Sequence, residues 1–260
     1  MPELPEVETI VRALAPRLQG ERIVGAEYWP SRVFRGELPP DLKGAQVIRV
    51  RRHGKFVVAD MDRGFLGIHL GMTGKLLFDV APHKHTRAVW EFAGFRLSLE
   101  DIRQFGRVLW GEQLPESIAA LGPDPLEVSR EEFIERARQR RMPIKALLLN
   151  QRVLRGMGNI YTDELLFRAR LHPAERTDGL SRTVLARTWE AMRGLLEEAI
   201  AKGGSSISDY VNTAGEKGTF QLAHRVYARE GEPCLVCGSP IERIVLLQRG
   251  THFCPRCQRR

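Results

Sequence analysis

Val7, Ile10, Val11, Leu14 and Leu18 recur at helical spacing after Pro5, and Gly20 follows them. Such spacing puts all five on one face, so the chain is predicted to open with an amphipathic helix. Pro5 falls in its first turn, where a missing amide hydrogen costs nothing. From about Arg22 to Trp110 the pattern changes to short β-rich runs: RIVGAEYW, AQVIRV, KFVVADM, FLGIHL, KLLFDV, RAVWEF, FRLSLED and RVLWG. Turns of glycine, proline or charge separate them at roughly the 8–12-residue spacing of a β-sandwich.

GPDPLEVS then reads as a linker rich in breakers, and helical segments follow: REEFIERARQRR, IKALLLNQRVL, NIYTDELLFRARL and SRTVLARTWEAMRGLLEEAIAKGG. In the last of these the apolar stripe is Leu185, Trp189, Met192, Leu196 and Ile200. GGSSISDYVNTAGEKGTFQ is a polar, glycine-marked loop. The layout predicts an α+β multidomain protein with a helix and β-sandwich over 1–114 and a linker over 115–130. A helical domain over 131–224 and a cysteine-bearing tail over 225–260 complete it.

At 260 residues the chain is long enough for two cores, and its 43% hydrophobic and 28% charged content is that of a globular protein. The net charge of +8 favours a polyanionic partner, because basic surface neutralises phosphates and releases their counterions. Only seven of the 40 basic residues are lysines. Arginine suits bidentate phosphate contacts, but a GC-rich genome gives the same skew. No apolar run approaches the roughly 20 residues needed to cross a bilayer. Glutamates stand where a signal peptide carries positive charge, so a cytoplasmic location and no membrane partner are expected.

All four cysteines lie in the last 27 residues, as Cys234-x2-Cys237 and Cys254-x2-Cys257 with sixteen residues between the pairs. Two paired-ligand turns of this spacing match a four-thiolate zinc site, closed and therefore structural rather than catalytic. One Zn²⁺ would staple a tail too small to fold alone. The intervening residues allow a β-hairpin with Gln248, Arg249 and Gly250 near its turn, where an arginine can meet phosphate or simply be solvated.

PELPEVE after Met1, HLGMTG, GKF, NQRVLRGMGNIYTDELLFRARLHP and VYAREGEPCLVCGSPIERIVLLQRGTHFCPRCQ together resemble the bacterial formamidopyrimidine-DNA glycosylases (the Fpg/MutM group) from end to end. The resemblance implies an N-terminal β-sandwich carrying a terminal helix, a helix-two-turn-helix domain and a zinc finger. It also implies excision of oxidised purines such as 8-oxoguanine from damaged double-stranded DNA, followed by strand cleavage. No protein partner is required by that activity, and with no symmetric interface in the pattern a monomer is expected.

By the same resemblance Pro2, freed of Met1, is the nucleophile. The chemistry is reasonable because an α-amino group, with an ordinary pKa of about 7.7–8.0, is partly neutral near pH 7. Without the family match, Pro2 is a helix-entry proline. Glu3 is implied as the acid that protonates the sugar ring oxygen, against a plain reading as a favourable anion at a helix N-terminus. Glu6 is a supporting residue that could buttress the amine, and Glu8 reads as solvated surface. Lys55 matches a lysine tied to damage recognition and proton transfer, and Arg249 the finger arginine that contacts phosphates flanking the lesion.

Excision requires the nucleotide to be flipped out of the stack. Met72, Arg103 and Phe105 match the family's residues that fill the gap, although Ile102 and Gln104 depart from the proline- and basic-rich versions of that loop. Asn159 stands at a helix start, suited both to capping and to phosphate contact. His69, His85, Arg141 and Tyr227 are further candidate DNA contacts. Residues Glu216, Lys217, Gly218, Thr219 and Phe220 resemble the segment that closes over everted 8-oxoguanine, and their composition predicts mobility without DNA.

Two rivals accompany this reading. An endonuclease VIII-like enzyme for oxidised pyrimidines is associated with glycine in place of Leu4 and with no comparable capping loop. A non-catalytic zinc-ribbon DNA-binding protein leaves the Pro2-Glu3 start unexplained.

Overall fold

The computed structural model describes residues 1–35 and 38–260. The chain folds into two compact units, one of Met1–Ala119 with Ile200–Gln221 and one of Ala120–Ala199 with Leu222–Arg260.

In the first unit the apolar stripe at the start forms α1 (Leu4–Leu18), which stops where Gly20 takes a φ of 91°. Leu4, Val7, Ile10 and Leu14 are at most 1% exposed, and burying each stabilises the unit by roughly 1.5–3 kcal/mol. All eight β-rich runs become strands: β1 (Gly25–Tyr28), β2 (Val47–His53), β3 (Phe56–Met61), β4 (Gly64–His69), β5 (Lys75–Phe78), β6 (Thr86–Phe92), β7 (Phe95–Glu100) and β8 (Arg107–Gly111). They pair antiparallel into two four-stranded sheets, β1-β6-β7-β5 and β2-β3-β4-β8. Apolar side chains from both sheets and from α1 share one core around Trp90, Leu76 and Val57. A short α2 (Glu116–Ala119) follows.

Ile200–Gln221 groups with this sandwich rather than with the helices that precede it. The reason is local: Ser205 donates its amide to Glu6, Phe78 donates its amide to the Thr213 carbonyl, and the Tyr210 ring joins the sandwich core.

The second unit contains α3 (Arg130–Arg138), α4 (Ile144–Leu149), α5 (Asn159–Arg168) and most of α6 (Arg182–Ala201). Ser129 caps α3 by accepting the Glu132 amide at 3.1 Å, as a Ser-x-x-Glu start leads one to expect. Every residue of α5 from Ile160 to Phe167 is buried, so its acids as well as its apolar side chains face protein. The tail pairs β9 (Glu242–Leu246) antiparallel with β10 (Arg249–Phe253). Leu247 and Gln248, both left-handed at φ 54° and 58°, make the two-residue turn. Arg249 is therefore the first residue after the turn rather than part of it.

Candidate functional site

In the first unit, Glu3 caps α1 and forms a capping box with Glu6, whose Oε2 accepts the Glu3 amide at 2.8 Å. That amide belongs to the Pro2–Glu3 peptide, so a carboxylate holds the bond next to the candidate nucleophile. Glu6 Oε1 accepts the Ser205 amide at 2.7 Å, and the Tyr210 hydroxyl donates to the Glu6 carbonyl at 3.4 Å. Pro2, Glu3 and Glu6 are all buried, with Glu3 4% and Glu6 1% exposed. Acids buried this deeply must be hydrogen-bonded to persist: the amides of residues 3 and 205 serve Glu6, and the Glu6 amide serves Glu3.

Glu8 is not the solvated surface residue its sequence position suggests. Its carboxylate bridges Arg12 at 2.9 Å and Arg52 at 2.8 Å, and the Arg52 side chain is only 6% exposed. A guanidinium buried on β2 needs an anion, and α1 provides one a turn beyond Leu4.

Lys55 follows Gly54 in the tight β2–β3 turn, where Gly54 carries a φ of 60°. His69 ends β4 with its ring edge-on to Phe56, centroids 5.0 Å apart, and its Nδ1 accepts the Gly71 amide at 3.1 Å. Burial first, then the positive charges of Lys55, Arg107 and the chain's amino terminus, push the His69 pKa down to about 4. The imidazole is thus neutral near pH 7.

Met72, Arg103 and Phe105 come together on two loops packed backbone to backbone. Gly71, at φ 61°, lets them close, since a Cβ there would lie 2.5 Å from the Phe105 carbonyl carbon. Thr73 Oγ1 donates to Asp101 at 2.5 Å and accepts the Arg103 amide at 3.1 Å, while Asp101 also accepts the Gly106 amide at 2.8 Å. The tips stay open: Met72 is 38% and Phe105 50% exposed, with the Arg103 guanidinium 4.6 Å from the Phe105 ring centroid. Exposed apolar and aromatic side chains on a braced loop suit insertion between bases. Gln104 instead accepts the Arg32 amide at 3.1 Å. His85 joins the same region through its carbonyl, which accepts the Asp101 amide at 3.0 Å.

The segment that resembles a lesion cap is a closed turn. Asn212 Oδ1 accepts the amides of Ala214 and Glu216, and Asn212 Nδ2 donates to the Glu216 carboxylate. Glu216, Lys217 and Thr219 are exposed, whereas Gly218 and Phe220 are buried.

In the second unit, a polar cluster converges on the carbonyl that follows Arg249. Asn159 Nδ2 donates to the Gly250 carbonyl at 2.9 Å, and Lys145 Nζ reaches it at 3.3 Å. Asn159 is the first residue of α5 and Gly158 is its N-cap, so the asparagine is spent on the hairpin rather than on capping. Lys145 and Asp163, both 0% exposed, pair at 2.6 Å, and Lys145 also donates to Thr251 Oγ1 at 2.8 Å. Asp163 Oδ2 accepts the His252 amide at 2.9 Å. Arg249 itself is exposed.

Glu164 binds the adjacent chain, its carboxylate accepting the amides of Arg225, Val226 and Tyr227 at 2.8–3.0 Å. The Tyr227 ring stands edge-on to both His224 and His252. Arg141 is exposed between α3 and α4 and joins none of these clusters. Sequence reasoning missed Lys145, Asp163, Glu164 and Ser205. The one available signal was a pair of acids inside the otherwise apolar run of α5.

The four cysteine sulfurs lie within 4.8 Å of one another, with Cys234 and Cys257 at 3.9 Å and Cys237 and Cys254 at 3.5 Å. Tetrahedral thiolates about 2.3 Å from zinc stand roughly 3.8 Å apart, so the set fits that ion. Backbone amides of Val236 and Cys257 point at Cys234 and Cys254 sulfur. The Ser239 backbone holds the Cys237 pKa down to about 6, while burial pushes that of Cys257 up to about 12. A bound cation would bring all four to thiolate.

Three family models match in order. The formamidopyrimidine-DNA glycosylase N-terminal domain matches residues 1–108, the H2TH domain of the same enzymes 121–211, and the zinc finger found in FPG and IleRS 231–260. A formamidopyrimidine-DNA glycosylase of Solibacter usitatus is 49% identical over the full length of both chains, and one of Geobacillus kaustophilus 42%. The crystal structure of the MutM (FPG) protein from Thermus thermophilus superimposes with a TM-score of 0.88 at 40% identity, covering 99% of this chain and 98% of that one. The Lactococcus lactis Fpg in complex with an abasic site containing DNA gives 0.87 at 33% identity, over 99% and 100%.

Proposed function

Because this chain belongs to the formamidopyrimidine-DNA glycosylase family, we propose that it removes oxidised purines from duplex DNA and then cuts the strand at the resulting abasic site. One structural zinc ion, held by Cys234, Cys237, Cys254 and Cys257, orders its tail. The observation that best supports the chemistry is the buried, hydrogen-bonded frame around the Pro2–Glu3 peptide.

In this reading Met1 is removed, leaving Pro2 as a secondary amine. Its nitrogen lone pair forms the bond to sugar C1′ while the base leaves with the C1′–N9 electron pair. Glu3 gives a proton to the ring oxygen as the sugar opens, and the amine proton is lost. The product is an iminium with no proton on nitrogen. It draws off the electrons left when C2′ is deprotonated, and the 3′ phosphate departs; a second elimination releases the 5′ phosphate. Lys55 serves in proton transfer near this centre, and its ammonium adds to the burial that keeps His69 neutral. Glu6 holds the Pro2–Glu3 peptide.

Met72, Arg103 and Phe105 fill the space left by the flipped nucleotide, and the turn 216–220 covers the extruded base. Asn159 and Arg249 contact backbone phosphate, with His69, His85, Arg141 and Tyr227 as further contacts. No helix among the described residues is long and apolar enough to cross a membrane, and the enzyme acts on DNA in the cytoplasm as a monomer. Leu4 and the turn over 216–220 favour purine lesions over the pyrimidine alternative.

Cleavage of matched duplexes carrying 8-oxoguanine opposite cytosine or thymine glycol tests the proposal. Faster cleavage of the 8-oxoguanine duplex is expected. Faster cleavage of thymine glycol, or binding without cleavage of either, would refute it.

A further inference from the structure

The capping turn and the amino terminus meet through two glycines. A Cβ on Gly218 would lie 2.3 Å from the Gly204 carbonyl oxygen and 2.4 Å from that of Gly203. Gly218 does not adopt a left-handed φ, so close approach alone demands glycine there. Gly204 does, at φ 78°, and a Cβ on it would lie 2.7 Å from Glu6 Oε1 and 2.9 Å from Glu6 Cγ. The next residue, Ser205, donates its amide to that same Oε1 at 2.7 Å, and Glu6 Oε2 accepts the Glu3 amide at 2.8 Å.

These contacts form an unbroken chain from the capping turn to the Pro2–Glu3 peptide. The turn is also tied to Gly204 and to the residues flanking the glycine pair by hydrogen bonds. The Gly218 amide donates to Ser206 Oγ at 2.9 Å, the Thr219 amide to the Lys202 carbonyl at 2.9 Å, and the Phe220 amide to the Gly204 carbonyl at 3.0 Å. Backbone packed against backbone has no flexible side chain to absorb a displacement. A movement of residue 218 toward residues 203–204 must therefore move the Ser205 amide or be refused.

From this we infer that Glu6 is a positioning residue that couples the capping turn to the N-terminal amine through Gly204 and Ser205, so that the seat of the turn sets where Pro2 stands. The inference rests on the Schiff-base reading above. It differs from a simple buttress because one carboxylate serves two clients: one oxygen reads residues 204–205 and the other holds the peptide beside the nucleophile.

The test is a double-substitution cycle read by single-turnover borohydride trapping on duplex DNA with a preformed abasic site. That substrate has no base to cap, so a turn acting only on the base has no effect on it. Gly218→Ala drives a methyl group into the Gly203–Gly204 backbone. Glu6→Gln leaves one acceptor where two amides need one each. Each is expected to slow the trapping rate constant by about tenfold or more, as sub-ångström misplacement of a nucleophile does. Because both break the same linkage, the double variant should be within about twofold of the slower single variant.

Rate constants are compared rather than amplitudes, so a misfolded fraction lowers the yield without changing the outcome. Gly218→Ala trapping abasic DNA within about twofold of the unsubstituted rate would overturn the coupling, as would losses that multiply in the double variant. Absence of any adduct with the unsubstituted protein would overturn the Schiff-base reading as well, which separates the two failures.

Discussion

Lys145→Met removes the ammonium from a pair in which both side chains are 0% exposed. The Asp163 carboxylate then keeps the His252 amide and, at 3.2 Å, the His252 ring Nδ1, but loses its 2.6 Å cation in a site water does not reach. Breaking one side of a buried pair costs about 3–5 kcal/mol, because the remaining charge is left uncompensated. Two further acceptors, Thr251 Oγ1 and the Gly250 carbonyl, also lose their donor, which places the expected loss toward the upper end of that range. A lowering of the melting temperature on the order of 10–20 °C follows for a unit of this size.

The companion variant Lys145→Met with Asp163→Leu removes both charges and fills their volume. Apolar replacement of a whole buried pair is often neutral, so it should recover most of the lost stability. The assay is thermal and urea unfolding with zinc present, followed by amide exchange across the hairpin. Stability of Lys145→Met within about 1 kcal/mol of the parent would refute the assigned energetics. So would a double variant no more stable than the single. The hairpin amides around Arg249 should exchange faster in both variants, because Gly250 has lost a donor in each.

Acidification acts through His69, whose pKa falls from an ordinary 6.5 to about 4 on folding. Between those values the unfolded chain binds a proton that the folded chain refuses, so stability drops as pH falls through that window. The loss is about 3 kcal/mol by pH 4, and His69→Gln should flatten the slope in denaturant titrations at each pH. Chelating zinc should unfold the tail and abolish DNA binding while leaving the sandwich's circular dichroism intact, and re-addition should restore binding. Deleting residues 216–219 removes the cap together with the Gly218 and Thr219 amides that seat the turn, so abasic-site cleavage should slow while 8-oxoguanine removal falls further still. Equal losses on the two substrates would contradict the capping role.

Local periodicity carried most of the fold. The eight sandwich strands lie where the β-rich runs put them, and α1 and the long helix where helical spacing of apolar residues put them, because burial of one face dictates that spacing. The zinc site was readable from cysteine spacing alone. Polar pairings were not. Glu6 and Ser205 are 199 residues apart and Lys145 and Thr251 106 apart, and no periodic pattern encodes which distant amide or hydroxyl a buried charge will meet. Glu8 misled for the same reason: its partner Arg52 is 44 residues away. Asn159 missed its expected cap by one residue, within the ordinary looseness of helix boundaries.

The central claim is that the amine of Pro2, exposed by loss of Met1, attacks the damaged nucleotide. Borohydride reduction during turnover of an 8-oxoguanine duplex, followed by proteolysis and mass spectrometry of the covalent adduct, tests it directly. The sugar remnant should be found on the Pro2 nitrogen of the N-terminal peptide, and protein retaining Met1 should form no adduct. An adduct mapped to Lys55 or another lysine, or an adduct formed equally well with Met1 in place, would contradict it.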